Sequence, residues 1–413
     1  MKTISFIQPS RNNLKYLKWS YNSIRKNLGY RHEICWADDF SDDGTWEWMQ
    51  EIANKDNNVK IHRNEGPTRL GHTILYDTLI NDYATNDIVM IYHADMYACP
   101  NMDVEVLKHL ERGKVVSATR IEPPLHPNGP EKVLVDYGIE PEEFREQELL
   151  NFVNAGAGAQ TWEGIPEDKT TEGIFAPWAI YKDDFTSIGG HDPLYAPQSK
   201  EDSDIFNRFQ LAGYETIQTW SGYVYHMTCR GSRFKDGAMR NPAGQVFMNG
   251  RESSEWLAQN LRSTRNFIRK WGHMVKHDEY LKPIVPPKYK VYFKAYNCDG
   301  NLLRELEPWC DKIFLDSGSI GKYAGQYQKE EQPNTQFDLD ERIFMYGNSE
   351  ITDQDGVVVE FDCQKLTADN FQILVNLSEI LQESGELGVM ELEIFKFHIN
   401  SLEEYQKDLI LVK

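Results

Sequence analysis

Two hydrophobic patterns alternate along the first two thirds of the chain. Short apolar runs at residues 3–8, 33–37, 59–62, 88–92 and 115–119 predict buried strands. Between them lie segments with helical spacing. Leu14, Leu17, Tyr21, Ile24 and Leu28 share one helix face, and Gly29 stands where a helix C-cap glycine belongs. Trp46, Met49 and Ile52 share another face, and a third helix is predicted around residues 73–83. Strands and helices alternating at this spacing predict an open, largely parallel α/β sheet.

From Glu122 to about Gly173 the pattern weakens. Its Pro-Pro, Asn-Gly-Pro and Ile-Pro-Glu-Asp elements are loop chemistry, so this region reads as an insertion. Order returns with a strand at 175–181, a Gly-Gly turn at 189–190 and a helix carrying Ile205, Phe206, Phe209 and Leu211. A strand at 223–226, a polar loop at 228–237 and a helix at 254–271 follow. That helix is expected to pack on the first domain, its arginines solvated or paired to acids.

Lys282-Pro283-Ile284-Val285-Pro286-Pro287 reads as a linker. The expected organisation is a catalytic domain over 1–275, a linker over 276–288 and a small α/β accessory domain over 289–413. Within the last, strands are predicted at 289–296, 312–315, 357–362 and 389–399. A helix is expected from Thr367 to Leu381, and Ser401-Leu402-Glu403-Glu404 predicts a final capped helix.

Composition narrows the function classes. A net charge of -20 argues against non-specific nucleic-acid binding and against attraction to anionic membranes. No apolar run has the length of a membrane span. The apolar opening Met1–Ile7 is interrupted by Gln8-Pro9-Ser10-Arg11 and reads as a first strand rather than a leader. The six cysteines form no Cys-x-x-Cys pair, as in a reduced, cytoplasm-like compartment, and a cytoplasmic location is expected.

The candidate chemistry sits where strands end. Ile88–Tyr92 stops at His93-Ala94-Asp95, which puts two metal-capable side chains at i and i+2. At the end of a parallel strand they face the crevice where ligands bind. Asp38 and Asp39 end the second strand. Ser199-Lys200-Glu201-Asp202 opens a helix with its acids in the first turn, where the helix dipole favours them. His226 ends a strand and precedes a cluster holding Arg230 and Arg233.

These pieces, in this order, resemble family 2 glycosyltransferases of the GT-A fold. Asp38-Asp39-Phe40-Ser41-Asp42-Asp43-Gly44-Thr45 resembles that family's Asp-Asp-x-Ser-x-Asp-Gly-Thr signature. Pro9-Ser10-Arg11-Asn12 is similar to its first loop, and His93-Ala94-Asp95 stands at its Asp-x-Asp position. Gly189-Gly190-His191-Asp192 and Glu201-Asp202-Ser203-Asp204 resemble its Gly-Gly-Phe-Asp and acidic-pair elements. The resemblance covers about residues 1–272.

It implies an inverting, metal-dependent transferase moving a sugar from a UDP- or GDP-linked donor to a hydroxyl acceptor. Asp202 is implied as the general base, with Glu201 beside it. Asp95 and His226 are implied as metal ligands, with Mn²⁺ expected over Mg²⁺ because histidine ligates Mn²⁺ more readily. His93 departs from the family's aspartate, so its contact is either metal or donor. Pro9, Ser10, Arg11, Asp38, Asp39, Asn64, Arg69, His93, Ala94 and Asp95 are the expected donor-side residues. Arg230 and Arg233 are expected at the diphosphate, and Trp178, His191 and Asp192 on the acceptor side. Acceptor binding or self-association is the expected role of the C-terminal domain. The alternatives are a sugar-phosphate nucleotidylyltransferase, whose glycine-rich first loop is missing at Pro9–Asn12, and a non-catalytic carbohydrate-binding shell of the same fold.

Overall fold

The computed structural model describes residues 2–156, 169–228, 230, 237–248, 252–346 and 356–412. They form two compact units. The first takes residues up to 259 with 277–284 and 411–413, and the second takes 260–276 with 285–410.

In the first unit, β1 (Ile4–Ser10), α1 (Leu14–Asn27), β2 (Glu33–Asp39), α2 (Thr45–Ala53), β3 (Val59–Asn64), α3 (Gly71–Thr78) and β4 (Ile88–Ile91) alternate. β5 (Met96–Ala98), α4 (Met102–His109), β6 (Lys114–Glu122), β7 (Lys132–Leu134), α5 (Glu146–Asn154) and β8 (Thr170–Thr171) follow. Then come β9 (Trp178–Tyr181), α6 (Lys182–Ser187), α7 (Glu201–Leu211), β10 (Glu215–His226) and a hairpin of β11 (Ala238–Arg240) and β12 (Val246–Met248), while α8 (Ser254–Trp271) begins in this unit and continues as part of the second. The main sheet runs β3-β2-β1-β4-β9-β6-β10-β5. β1 pairs in parallel with β2 and β4, as do β2 with β3 and β6 with β10. β9 lies antiparallel between β4 and β6, and β5 antiparallel on β10. This is a mixed, mostly parallel sheet.

The core explains the strand order. Phe6, Ile34, Trp36, Met90 and Ala179 are fully buried, and strands covered on both faces read as continuous apolar runs. Ser5 and Gln8, also fully buried, are satisfied internally. Ser5 donates to Glu33 (2.5 Å), and Gln8 binds Ser20, Trp36 and the His93 carbonyl.

The second unit holds a sheet ordered β15-β14-β13-β16-β18-β17. Its strands are β13 (Val291–Tyr296), β14 (Lys312–Leu315), β15 (Ile343–Met345), β16 (Val357–Asp362), β17 (Gly388–Leu392) and β18 (Phe395–Ile399). Helices α9 (Gly300–Leu306), α10 (Ser317–Ser319), α11 (Gly325–Glu331), α12 (Ala368–Val375) and α13 (Leu377–Ser384) accompany it. The run 389–399 is a hairpin rather than one strand: Glu393, at φ 50°, reverses the chain between β17 and β18. The capping-box sequence at 401–404 starts no α-helix, and only a 3₁₀ turn follows at Gln406–Leu409.

The unit boundary falls earlier than the proline-rich linker indicates. Arg269 on α8 is fully buried against Glu307 (2.7 Å) and Glu331 (2.9 Å), and Arg265 pairs with Glu331 (2.7 Å). A buried arginine needs carboxylate partners. The acids that pair with this helix belong to the second unit, and residues from 260 onward cluster with them.

Candidate active site

β4 ends at Ile91, and His93-Ala94-Asp95 forms the turn into β5. Gln8 donates to the His93 carbonyl at 3.0 Å and so pins this turn from beneath. β5 pairs with the end of β10, Met96 opposite His226, and the Met227 N–H donates to the Asp95 carbonyl. This backbone register is what carries Asp95, remote in sequence, to His226. Ligand atoms of His93, Asp95 and His226 all lie within 4.8 Å of one another. His226 Nε2 is 3.4 Å from Asp95 Oδ1, while its Nδ1 is 2.7 Å from Glu122 Oε1.

Charge and burial oppose each other at this cluster. Burial pushes the His226 imidazolium down, but Asp95 and Glu122 outweigh it and hold the group up at about 9. Burial and the neighbouring His226 push His93 down to about 3. Burial raises Asp95, yet His226 and His93 bring it below the usual carboxylate value. Two imidazoles and a carboxylate are donors suited to a first-row divalent ion, so the residues present fit a metal. His93, whose contact the sequence left open, belongs to this cluster.

The acid pair opens α7 after two non-glycine residues in the left-handed region, Ser199 at φ 82° and Lys200 at φ 73°. Such backbone is costly and persists where the surroundings over-determine it. Glu201 Oε1 meets His72 Nε2 at 2.5 Å, and Glu201 Oε2 is buried with no hydrogen-bond partner. Burial and the adjacent Glu201 push Asp202 up to about 6. Burial acts on Glu201 as well, but the His72 charge holds it below its ordinary value. Asp202 takes no hydrogen bond among the described residues. Two neighbouring carboxylates thus have their proton affinities driven apart, which is the pattern of an acid–base pair.

α3 delivers His72. Asp39 accepts from the backbone N–H groups of Leu70 (3.0 Å) and Gly71 (2.9 Å) and from Asn64 Nδ2 (2.8 Å), with Arg69 Nε at 3.4 Å. Gly71, at φ +76°, lies so close to Pro197 that a Cβ would stand 2.0 Å from its carbonyl oxygen. The start of α3 and the loop before α7 are pressed together, and His72 reaches Glu201.

Several expected donor-side residues are committed to protein groups. Asp39 and Asn64 hold the 64–71 loop, and Arg69 also donates to Gln198 at 3.2 Å. Asp38 is fully buried, receives the Ser41 N–H at 3.3 Å and has Arg63 Nε at 3.5 Å. Register places Pro9 and Ser10 beside Ala37 and Asp38, with half-buried Arg11 next along and Ala94 buried in its turn. Arg230 sits over the Tyr16 ring, donates to the Ile139 carbonyl and pairs with Glu140 at 3.2 Å. Arg233 lies outside the described residues.

The acceptor-side expectations need correction. Trp178 is 0 % exposed and packs among Phe185, His191, Phe206 and Phe209, so its face is not open to a sugar. His191 is buried and held by Asp77, through its backbone N–H at 3.0 Å and Nδ1 at 2.7 Å. Asp192 caps the turn at Pro193–Tyr195 through the Leu194 N–H. The continuous apolar run of β9 and an Asp before Pro are the local signals for the packing of Trp178 and the capping by Asp192. Conversely, His72 and Glu122 escaped the sequence reading. Only their position at element ends hinted at them, and the sequence held no sign of which acid or imidazole each would meet.

The mixed α/β sheet thus carries the metal-capable cluster and the acid pair at its strand and helix ends. Residues 5–159, within the first unit, match the model of the family described as Glycosyl transferase family 2. Among solved structures, the chain is similar to GalNAc-T7 with UDP, GalNAc and Mn²⁺, at 15% identity over 54% of this chain and 43% of that one, TM-score 0.41. S. aureus TarS aligns at 15% identity over 55% of this chain and 37% of that one, TM-score 0.37. Its 1–349 form in complex with UDP aligns with 60% of its length covered, again at TM-score 0.37. The chain therefore spans less than two thirds of each of these relatives. No curated protein matches it significantly.

Proposed function

We propose that the first unit is an inverting transferase that moves a sugar from a nucleoside-diphosphate donor, UDP- or GDP-linked, to a hydroxyl acceptor. The observation that carries this reading is the His93–Asp95–His226 cluster together with Asp202, whose carboxylate is raised to about 6 and takes no side-chain hydrogen bond among the described residues. Asp202 takes the acceptor's hydroxyl proton as the new bond to the anomeric carbon forms and the bond to the diphosphate breaks. One displacement with one base inverts the anomeric centre. Glu201, held ionised by His72, keeps Asp202 basic near neutral pH.

His93, Asp95 and His226 would hold the divalent ion, Mn²⁺ in preference to Mg²⁺ because imidazole donors suit the softer ion. When bound, such an ion neutralises charge developing on the leaving diphosphate. The donor's base is assigned to the ends of β1 and β2, where Pro9, Ser10 and Arg11 lie beside Asp38 and Asp39.

The test is a panel of UDP- and GDP-sugars with Mn²⁺, reading donor hydrolysis and transfer. Turnover of one donor that is lost in Asp95→Ala and in Asp202→Asn supports the reading. A panel with no turnover and no nucleotide-dependent thermal shift rejects it in favour of a non-catalytic shell.

A further inference from the structure

Glu122 takes no part in the roles assigned so far, yet His226, Arg120 and Lys132 surround its carboxylate. It is 2 % exposed at the carboxyl end of β6. Parallel pairing of β6 with β10 sets Ile121 opposite Tyr225, which brings Glu122 beside His226 at the end of both strands. That register follows a break between Thr219 and Tyr223 on β10, where the pairing shifts by several residues. Glu122 Oε1 then meets His226 Nδ1 at 2.7 Å. Arg120 Nε lies 3.2 Å from the same oxygen, and Lys132 Nζ, on β7, lies 3.7 Å from Oε2.

An ionised carboxylate only accepts hydrogen bonds. Its partner at Nδ1 must therefore be an N–H, and the nitrogen left to act as a ligand is Nε2. This is the atom that faces Asp95, at 3.4 Å. Arg120 and Lys132 favour the charged form of the carboxylate, and its 2.7 Å contact with Nδ1 gives the imidazole plane a preferred orientation. Carboxylates placed in this way fix both the tautomer and the direction of a metal-binding histidine.

We propose that Glu122 is a positioning residue: it fixes His226 with its proton on Nδ1 and presents Nε2 to the divalent ion beside Asp95 and His93. The inference rests on the metal reading given under the proposed function. Glu122 touches neither donor nor acceptor in this account. It acts through His226 alone.

The test is a double-mutant cycle on Mn²⁺ binding by the full-length protein without nucleotide, with free Mn²⁺ read by electron paramagnetic resonance. Glu122→Gln is expected to raise the Mn²⁺ Kd by about 10–100-fold. In a His226→Ala background the same change is expected to alter Kd by no more than about twofold, because the interaction it removes is already gone. An unchanged Kd in Glu122→Gln overturns this inference alone, as does an equal loss in both backgrounds. A wild-type protein that binds no Mn²⁺ overturns the metal reading itself. If Glu122→Gln does not fold, Glu122→Asp takes its place in the cycle. Should His226→Ala bind too weakly to measure, ¹⁵N chemical shifts of labelled histidine in the wild-type protein with Mg²⁺ decide: a proton on His226 Nδ1 sustains the proposal, and one on Nε2 overturns it.

Discussion

Asp202 and Glu201 are adjacent, share one helix start and still have different proton affinities. Glu201 has the His72 imidazole at 2.5 Å, and Asp202 has burial and the Glu201 charge against it. His191 and His72, with Arg120, pull Asp202 back down, and Tyr76 faces the same acids. A general base works deprotonated, so kcat/KM should fall as pH drops through about 6 and level off above it. A pH–rate profile checks this. His72→Ala removes a positive neighbour from Asp202, so the acid limb should move to higher pH. An unmoved limb would exclude His72 from setting the base. Asp202→Asn should lower turnover by about 10²–10⁴-fold. It should also raise the melting temperature at pH 8. A carboxyl whose folded value is raised contributes stability below its unfolded value, near 4, and loses it as pH rises through about 6. Above that pH the wild type bears an unfavourable buried charge that the amide does not. The gain should shrink as pH falls through about 6 toward 4, where wild-type Asp202 is neutral in the folded state.

At the scale of elements, the site depends on how α3 meets the loop before α7. Gly71 is the contact point, at positive φ and with no room for a Cβ beside Pro197. Gly71→Ala should lower the melting temperature and reduce turnover together, since it separates His72 from Glu201. A residue forced into the left-handed region costs about 1–3 kcal/mol, a loss that denaturant unfolding would resolve. Trp178 on β9 makes the opposite kind of prediction. Its ring is core, so Trp178→Ala should cost roughly 3–5 kcal/mol. A change in acceptor KM with unaltered stability would restore its sugar-stacking role. Strands β1, β2, β4 and β6 were legible as apolar runs because each is covered on both faces. β5 was not: three residues carry no period, and it exists because the end of β10 offers an edge to pair with. The hairpin β17–β18 was hidden for a related reason, since its reversal rests on one non-glycine residue, Glu393.

Across the whole molecule, composition and linker chemistry placed a boundary near residue 282, but buried charge moved it. Glu307 is fully buried and meets Arg269, Arg342 and the Tyr327 hydroxyl (2.8 Å). Glu307→Ala leaves two arginines buried without that partner. Removing one member of a buried ion pair typically costs about 3–5 kcal/mol. Denaturant unfolding of the second unit should show it, with donor turnover at 25 °C unaltered. No described helix is long and apolar enough to cross a membrane. The sequence by itself determined the alternation of strands and helices and the order of the motifs, and it offered Asp95, Asp202 and His226 as candidates, because apolar period and strand-end chemistry are local. Only the tertiary structure decided that His93 joins Asp95 and His226, that Glu122 meets His226 and that His72 meets Glu201. Those contacts depend on strand register, on a break in β10 and on one close glycine, each a relation between segments that no local pattern encodes.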